Sequence, residues 1–292
     1  MMTSYMTLTL LLPSLVMSAP MKMPDNMIDM THGLVDNMPA FPGHVPYTFT
    51  INVRGEYPLL KNPDIYIEMN TIRLSEHTAT HVDAPAHFAK GKWRIHQIPN
   101  RNFVAPGVVI DIRDKVAKNP DAQIDKDDLK MYEEKYGQIP NRAFVLQNAG
   151  WEERWMNTTE YLGRSYTSSG NVNISSLHWP GFSLDATKWL VEERDIVGIG
   201  TDAMSFDLGN TKDFPVHRYL LENNRIGFEM VANLSRIPPA GATIYAFPIK
   251  IMDGSGAPVR MFAMWSNGAV ALNPTSLLLS CVCAIILLLF RH

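Results

Sequence analysis

Cysteine is almost absent from this chain, and the two that occur, Cys281 and Cys283, both lie near its C-terminal end. A disulfide framework is therefore excluded for the body of the chain, and a core of about 250 residues can be stable without one. Thiolate metal sites are excluded there for the same reason. Any metal site in that region must use histidine and carboxylate ligands.

Charge is scarce as well, with 19% charged residues and a formal net charge of -3, so the chain has no basic footprint for nucleic acid. The glycine-rich phosphate loop and the GxSxG motif of serine hydrolases are both absent. What remains is an ordinary globular composition, 292 residues with 46% hydrophobic side chains. That composition suits a folded domain with a sizeable core.

The N-terminal stretch carries no charged side chain over residues 1–20 and contains an apolar run that ends in Ser18 and Ala19. This pattern predicts a secretory signal peptide over residues 1–18. A first core strand or helix is the alternative interpretation. The globular domain is then expected over residues 19–266.

The C-terminal stretch is almost wholly apolar over residues 276–290, which is short for a spanning helix of about 20 residues. Small residues at 266–269 precede it, an order that predicts a GPI-attachment signal over residues 267–292, with a single membrane helix as the alternative. Either would place the domain in the secretory pathway, on the extracellular face of the cell membrane, or secreted. Sequons at Asn157, Asn173 and Asn233 fit a glycoprotein, although such triplets also arise by chance.

Histidine is concentrated in one segment, where His77, His81, Asp83 and His87 fall within eleven positions of a chain that has only 9 histidines. Imidazole and carboxylate are the ligands that zinc, manganese or iron accept when no thiolate is offered. A straight strand would hold the first two rings about 13 Å apart, so the spacing predicts a bend between them, followed by an extended stretch. We expect a rigid loop that carries several metal ligands. A hydrogen-bonded structural role is the alternative for any one histidine.

Two further candidates lie in the second half of the chain. His217 opens a predicted helix at 217–223, and Glu229 interrupts the apolar strand predicted at 226–231. A carboxylate within such a run is costly to bury unless it is paired or bound to a cation. The two residues are therefore candidates for the same metal site.

The remaining pattern predicts a mixed α/β domain, with a mixed sheet or barrel flanked by helices. Polar and aromatic residues with little periodicity at 152–176 predict a surface loop. Helices are predicted at 125–136, 183–194 and 217–223, and strands at 27–31, 49–53, 65–74, 108–112, 143–147, 195–202, 226–231, 243–251 and 259–265.

The segment 77–88 resembles the HxGTHxDxPxHF signature of the cyclase family, which includes bacterial kynurenine formamidase and isatin hydrolase. Further similarity lies in the prolines and aromatics at 38–43, in residues 180–183, in residues 200–207, in the spacing of His217 and Glu229, and in a closing turn at 253–260. Three positions depart from the family pattern: Ala79 replaces glycine, Phe41 replaces tryptophan, and His44 stands where formamidases often have aspartate.

The resemblance implies a swivelling β/β/α-type single domain, usually a homodimer, that holds one or two divalent ions such as Zn²⁺ or Mn²⁺. By that resemblance one ion is bound by His77, His81 and Asp83. A second is held by His217, and Asp83 and Glu229 bridge the two. His87 would be the proton donor and acceptor. The aromatic side chain of Phe41 would border the substrate.

The favoured function is hydrolysis of a small aryl amide, as an arylformamidase that converts N-formyl-L-kynurenine to L-kynurenine and formate in tryptophan catabolism. An isatin hydrolase-like enzyme, acting on a cyclic amide or a lactone, is the second hypothesis. The third is a non-catalytic surface protein that binds a ligand or another protein.

Overall fold

The computed structural model describes residues 26–56, 64–163 and 174–266. The predicted signal peptide, the predicted C-terminal tail and the sequon at Asn173 lie outside these ranges. Among the described residues there is no helix with the length and apolar character needed to cross a membrane.

Twelve strands and five α-helices occur in the described ranges, joined by short 3-10 turns. The helices are α1 (Arg113–Val116), α2 (Lys126–Tyr136), α3 (Thr158–Tyr161), α4 (Leu184–Arg194) and α5 (Pro215–Glu222). The strands are β1 (Asn26–Asp29), β2 (Thr48–Glu56), β3 (Tyr66–Arg73), β4 (His81–Asp83), β5 (Val104–Asp111), β6 (Gln123–Ile124), β7 (Phe144–Asn148), β8 (Gly181–Phe182), β9 (Gly198–Thr201), β10 (Ile226–Glu229), β11 (Ala242–Pro248) and β12 (Gly256–Trp265).

Seven strands close into a barrel. They are hydrogen-bonded in the order β12, β11, β5, β7, β9, β10 and β4, and β4 pairs again with β12. The pairs β5–β7, β7–β9 and β9–β10 are parallel. The other four pairs of the barrel are antiparallel. Strand β1 lies beside the far end of β12, and β2 with β3 forms a separate ribbon. This architecture confirms the predicted mixed α/β fold class.

Alternate residues along the barrel strands contribute their side chains to two different hydrophobic clusters. One contains Phe144, Leu146 and Phe228, while the intervening Val145 and Ile199 pack with the side chains of α2, α4 and α5 in the other. A fully buried aliphatic or aromatic side chain of this kind contributes about 1.5–3 kcal/mol. The barrel is thus stabilised from both sides, which gives the site residues on its strands a rigid support.

Two of the predicted helices are confirmed with their capping residues. Asp125 accepts hydrogen bonds from the backbone of Asp127 and Asp128 at the start of α2, and Ser183 accepts one from Ala186 at the start of α4. Both are side chains that satisfy otherwise unpaired N–H groups.

The predicted surface loop at 152–176 is wrong in its first part. Thr158–Tyr161 form helix α3, and Tyr161 and Leu162 are fully buried. The Tyr161 hydroxyl donates to the backbone carbonyl of Asp202 at 2.7 Å. This tertiary contact lets a segment without helical periodicity pack into the core.

Candidate metal centre

The segment that carries the first three candidates bends at Ala79, whose φ of 50° lies in the left-handed region. The bend brings the rings of His77 and His81 to 5.2 Å between centroids, as the spacing predicted. The glycine-like backbone conformation is therefore kept although alanine is present, at a cost of about 1 kcal/mol. After the bend the chain becomes extended in β4, which sequence analysis did not predict as a strand because it has only three residues.

Strand β4 joins the histidine segment to the second half of the site. It pairs antiparallel with β10, and this register sets Glu229 opposite His81 and Gly227 opposite Asp83. On its other side Asp83 lies opposite Gly256 of β12. Barrel closure through β4 is thus what brings Glu229 to the histidines.

His217 is oriented by Asp207, to which sequence analysis gave no role. The capping position of α5, Phe214, is left-handed and offers no side-chain hydrogen bond, so the carboxylate of Asp207 replaces it. Its oxygens accept from the backbone N–H groups of Val216 at 3.0 Å and His217 at 2.9 Å. The same carboxylate accepts from Nδ1 of the His217 ring at 2.7 Å. The helix begins at Pro215, two residues before the predicted start at His217. The only sign in the sequence of a cap from elsewhere is that Phe214, directly before Pro215, has no capping side chain.

The two candidate carboxylates face these rings. Nε2 of His81 lies 3.3 Å from Asp83 Oδ1 and 3.4 Å from Glu229 Oε2. Nε2 of His217 lies 3.2 Å from Asp83 Oδ2 and 3.2 Å from Glu229 Oε1. His77 approaches from the other side, with Nδ1 2.7 Å from Asp83 Oδ1. All five predicted ligands are buried and lie around one point.

The hydrogen bonds indicate a cation-binding site. Nδ1 of His81 is 2.8 Å from the carbonyl of Ala79 and must donate to it, so Nε2 is the nitrogen that faces the carboxylates. That Nε2 and Oε1 of Glu229 are buried without a hydrogen-bond partner, an arrangement that is costly in a protein interior. Ligand atoms of His81, Asp83 and Glu229 lie within 4.8 Å of one another. The nitrogen and oxygen donors fit a divalent ion such as Zn²⁺ or Mn²⁺.

The pKa values also reflect an excess of negative charge. Burial opposes the charge on His81, but Asp83 and Glu229 outweigh it and raise its pKa to about 10. The pKa of His217 is raised in the same way, although burial opposes it, by hydrogen bonds to Asp207 and Asp83. Burial would raise the pKa of Asp83, yet the neighbouring histidines hold it well below its usual value. Without a metal ion, protons on the histidines neutralise the carboxylates.

His87 lies beside this cluster at the end of a 3-10 turn that begins with Pro85. Its ring stacks on that of His77, with centroids 4.0 Å apart. Burial lowers the pKa of His87 to about 4, so the ring is neutral at neutral pH. A neutral imidazole at the cavity wall can accept a proton.

The cluster forms the floor of a cavity of about 250 Å³. Phe41 lies in its wall, as predicted, together with Phe88 and Phe214. Sequence analysis assigned no role to Phe88, the last residue of the histidine motif, or to Phe214, which is far from that motif in the chain. The full lining consists of Phe41, His44, His77, His81, His87, Phe88, Ser205, Phe214, His217, Glu229 and Met230. The cavity is therefore apolar and aromatic except at its floor.

Comparison with known proteins agrees with the sequence resemblance. The model of the Cyclase family matches residues 28–208. The chain belongs to the Cyclase family.

The chain is similar to proteins named as isatin hydrolases and kynurenine formamidases. An isatin hydrolase from Roseibium aggregatum is 30% identical over 207 residues, which cover 68% of this chain and 75% of that protein. A kynurenine formamidase from Salinibacter ruber is 26% identical over 238 residues, covering 80% and 95%. The structure of isatin hydrolase A from Labrenzia aggregata, bound to benzyl benzoate, has a TM-score of 0.73 at 30% identity and covers 83% of this chain and 94% of that one.

Proposed function

We propose that the chain is a metal-dependent hydrolase of a small aryl amide. The observation that carries this proposal is the pair of unpartnered buried atoms, on His81 and Glu229, at the floor of an aromatic cavity. One divalent ion would be held by His77, His81 and Asp83. Oδ2 of Asp83 and Oε1 of Glu229, which both face Nε2 of His217, would allow a second ion there.

A divalent ion in this position supplies Lewis acidity, which polarises an amide carbonyl and makes water more acidic. His87 transfers the proton of the attacking water. Its neutral ring accepts a proton from the attacking water and passes it to the leaving nitrogen as the C–N bond breaks. The negative charge of Asp83 favours the transient imidazolium. The reaction yields a carboxylic acid and an arylamine, as two molecules from a linear amide or within one ring-opened molecule from a cyclic amide, and the aryl ring packs against Phe41.

For the substrate, the lining favours a compact neutral ring. Among the described residues that line the cavity there is no lysine or arginine, so a charged amino-acid group would be desolvated there without a partner. A cyclic aryl amide such as isatin avoids this penalty. The 30% identity to an isatin hydrolase supports the same choice.

A linear N-formyl arylamine, such as N-formyl-L-kynurenine, is the second candidate. A neighbouring cleft shares His87 and Phe88 with the cavity and is lined by Lys90, Lys92 and Arg94. A substrate carboxylate that reached out of the cavity would meet this basic cleft. The similarity to a kynurenine formamidase over 95% of its length supports this alternative.

The deciding experiment compares isatin and N-formyl-L-kynurenine as substrates of the purified protein, before and after chelation and after Zn²⁺ or Mn²⁺ is restored. Chelator-sensitive turnover of either supports the proposal, and the ratio of kcat/KM chooses the substrate. Lys90→Ala should lower kcat/KM for the charged substrate and leave that for isatin unchanged. A protein that binds metal but hydrolyses neither these nor other aryl amides or lactones would be a binding protein.

A further inference from the structure

The closing turn at 253–256 has no part in the reaction above, yet it holds one of the proposed ligands. Ser255 Oγ lies 3.0 Å from Nε2 of His77. The carboxylate of Glu76 accepts the backbone N–H of Ser255 at 3.1 Å and also the Ser255 hydroxyl. A chain of hydrogen bonds therefore runs from Glu76 through Ser255 to the outer nitrogen of His77.

The direction of this chain follows from counting protons. An ionised carboxylate only accepts, and a serine hydroxyl has a single hydrogen. Because that hydrogen is donated to Glu76, the Ser255 oxygen can only accept from His77. Nε2 of the His77 ring therefore carries a proton.

The consequence concerns the other ring nitrogen. With Nε2 engaged by Ser255, the ring nitrogen left for the site is Nδ1, which lies 2.7 Å from Asp83 Oδ1. A positive group must lie between or beside the two atoms at that distance, either a proton in the metal-free protein or a bound cation. The nitrogen of His77 that faces the metal site is then Nδ1, whereas His81 and His217 present Nε2.

The turn is also shaped to fit the ring. A Cβ atom at Gly256 would lie 2.4 Å from Cε1 of His77 and 2.8 Å from its Nδ1, so the ring occupies the space that glycine leaves. The turn is fixed from outside by Ala84, whose N–H donates to the Ser255 carbonyl at 2.9 Å, and by Ile95, whose N–H donates to the Gly254 carbonyl at 3.0 Å. The acceptor for His77 is thus held in place independently of the ring.

We propose that Glu76 and Ser255 are positioning residues that fix the Nε2-protonated tautomer of His77 and so keep Nδ1 free for a divalent cation. This inference rests on the proposed metal binding. It concerns the partners of the ligand, because a histidine that binds a metal through one nitrogen is normally oriented through the other.

Two variants test the chain of hydrogen bonds. Ser255→Ala removes the acceptor for His77. Glu76→Ala leaves the serine hydrogen free to donate to Nε2, which favours the tautomer with a proton on Nδ1. Each should weaken Zn²⁺ binding by about 10- to 100-fold, although neither residue is itself a proposed ligand. Ser255→Thr keeps the hydroxyl and should keep the affinity of the unaltered protein.

A matched control is Ser235→Ala, which removes another hydroxyl that faces a carboxylate, 3.4 Å from Glu152 Oε1. It should leave Zn²⁺ affinity unchanged. Ring ¹⁵N shifts of the metal-free protein give a readout that a merely structural role would not move. They should show a proton on Nε2 of His77 in the unaltered protein and none there in Glu76→Ala.

Wild-type His77 without a proton on Nε2 would overturn the inference, and so would unchanged Zn²⁺ affinity in both folded alanine variants. If one variant fails to fold, the ring shifts of the unaltered protein still decide. If the unaltered protein binds no Zn²⁺, the proposed function fails, whereas the tautomer of His77 still tests the positioning role on its own.

Discussion

The site has a near half, formed by residues 77–87, and a far half, formed by Asp207, His217 and Glu229, and the two orient their histidines differently. In the near half, Nδ1 of His81 donates to the Ala79 carbonyl, two residues away. In the far half, Nδ1 of His217 donates to the carboxylate of Asp207, ten residues away. A carbonyl partner fixes the direction of a ring, while a carboxylate partner also strengthens it as a ligand.

The difference shows which parts of the fold orient the ligands of each half. The near half needs the bend at Ala79, the short strand β4 and, for His77, the closing turn at 253–256. The far half needs α5 to be capped by a separate loop and β10 to be paired with β4. We therefore expect changes at the bend and at His87 to act on the backbone and the chemistry, and changes in the far half to act on metal binding and helix stability together.

The largest effect on turnover alone should come from His87→Ala. His87 belongs to the near half but contacts the cluster by stacking on His77. Loss of a proton-transfer group typically lowers the rate by about 10²- to 10⁴-fold. We expect turnover to fall by that factor with metal content unchanged, as measured by steady-state kinetics and elemental analysis. Retained turnover would remove His87 from this role.

Asp207→Ala tests the far half. It removes the partner of His217 and the acceptor for the first N–H groups of α5. Metal affinity should fall by about 10- to 100-fold and the free energy of unfolding by about 1 kcal/mol. Asp125→Ala is the matched control, since it removes the cap of α2 far from the metal. Titration calorimetry and thermal unfolding should show a similar loss of stability in both, with weaker metal binding only in Asp207→Ala.

Both halves should respond to pH. The folded-state pKa of His81 is raised to about 10, so in the metal-free protein its ring is protonated between pH 6 and 8. A metal ion must displace that proton, so Zn²⁺ affinity should rise about tenfold per pH unit for each proton released. Without metal, the stabilisation from the raised pKa is present below about pH 6.5 and is lost as the pH rises toward 10. Calorimetry in buffers of different ionisation enthalpy counts the protons; a pH-independent affinity would contradict the charge balance described here.

The smallest effect should come from Ala79→Gly, at the bend of the near half. Glycine removes the strain of the left-handed conformation, so the protein should become more stable by up to about 1 kcal/mol. Ala84→Gly is the control, because Ala84 has an ordinary φ of -79° and glycine there should destabilise by about 0.5–1 kcal/mol. Chemical denaturation measures both. A loss of stability in Ala79→Gly would show that the bend is not strained.

The near half could be predicted from the sequence because its residues are close in the chain and their spacing limits the backbone. The fold class followed from the pattern of strands and helices, and α2 and α4 from their periodicity and caps. Asp207 and Ser255 could not be assigned, because their hydrogen-bond partners are set by the loop before α5 and by the approach of β12 to β4, 178 residues from His77. Tyr161 was missed for a similar reason, since its carbonyl partner lies across the core.

Homodimer formation and membrane anchoring stay predictions, and neither is needed for the account of the site. The positions of the six predicted metal and proton-transfer residues are what the structure adds to the family assignment. The five ligands lie in one buried cluster with half-buried His87 stacked on it, and their roles are the part to be tested.

The most direct test is the metal content of the purified protein by elemental analysis, compared with that of Asp83→Asn. Asp83 faces His77, His81 and His217 at once, so it joins the near and the far half. The account predicts one or two divalent ions per chain in the unaltered protein and a loss of metal and turnover in the variant. An unaltered protein without metal, or a variant with the same metal content, would contradict it.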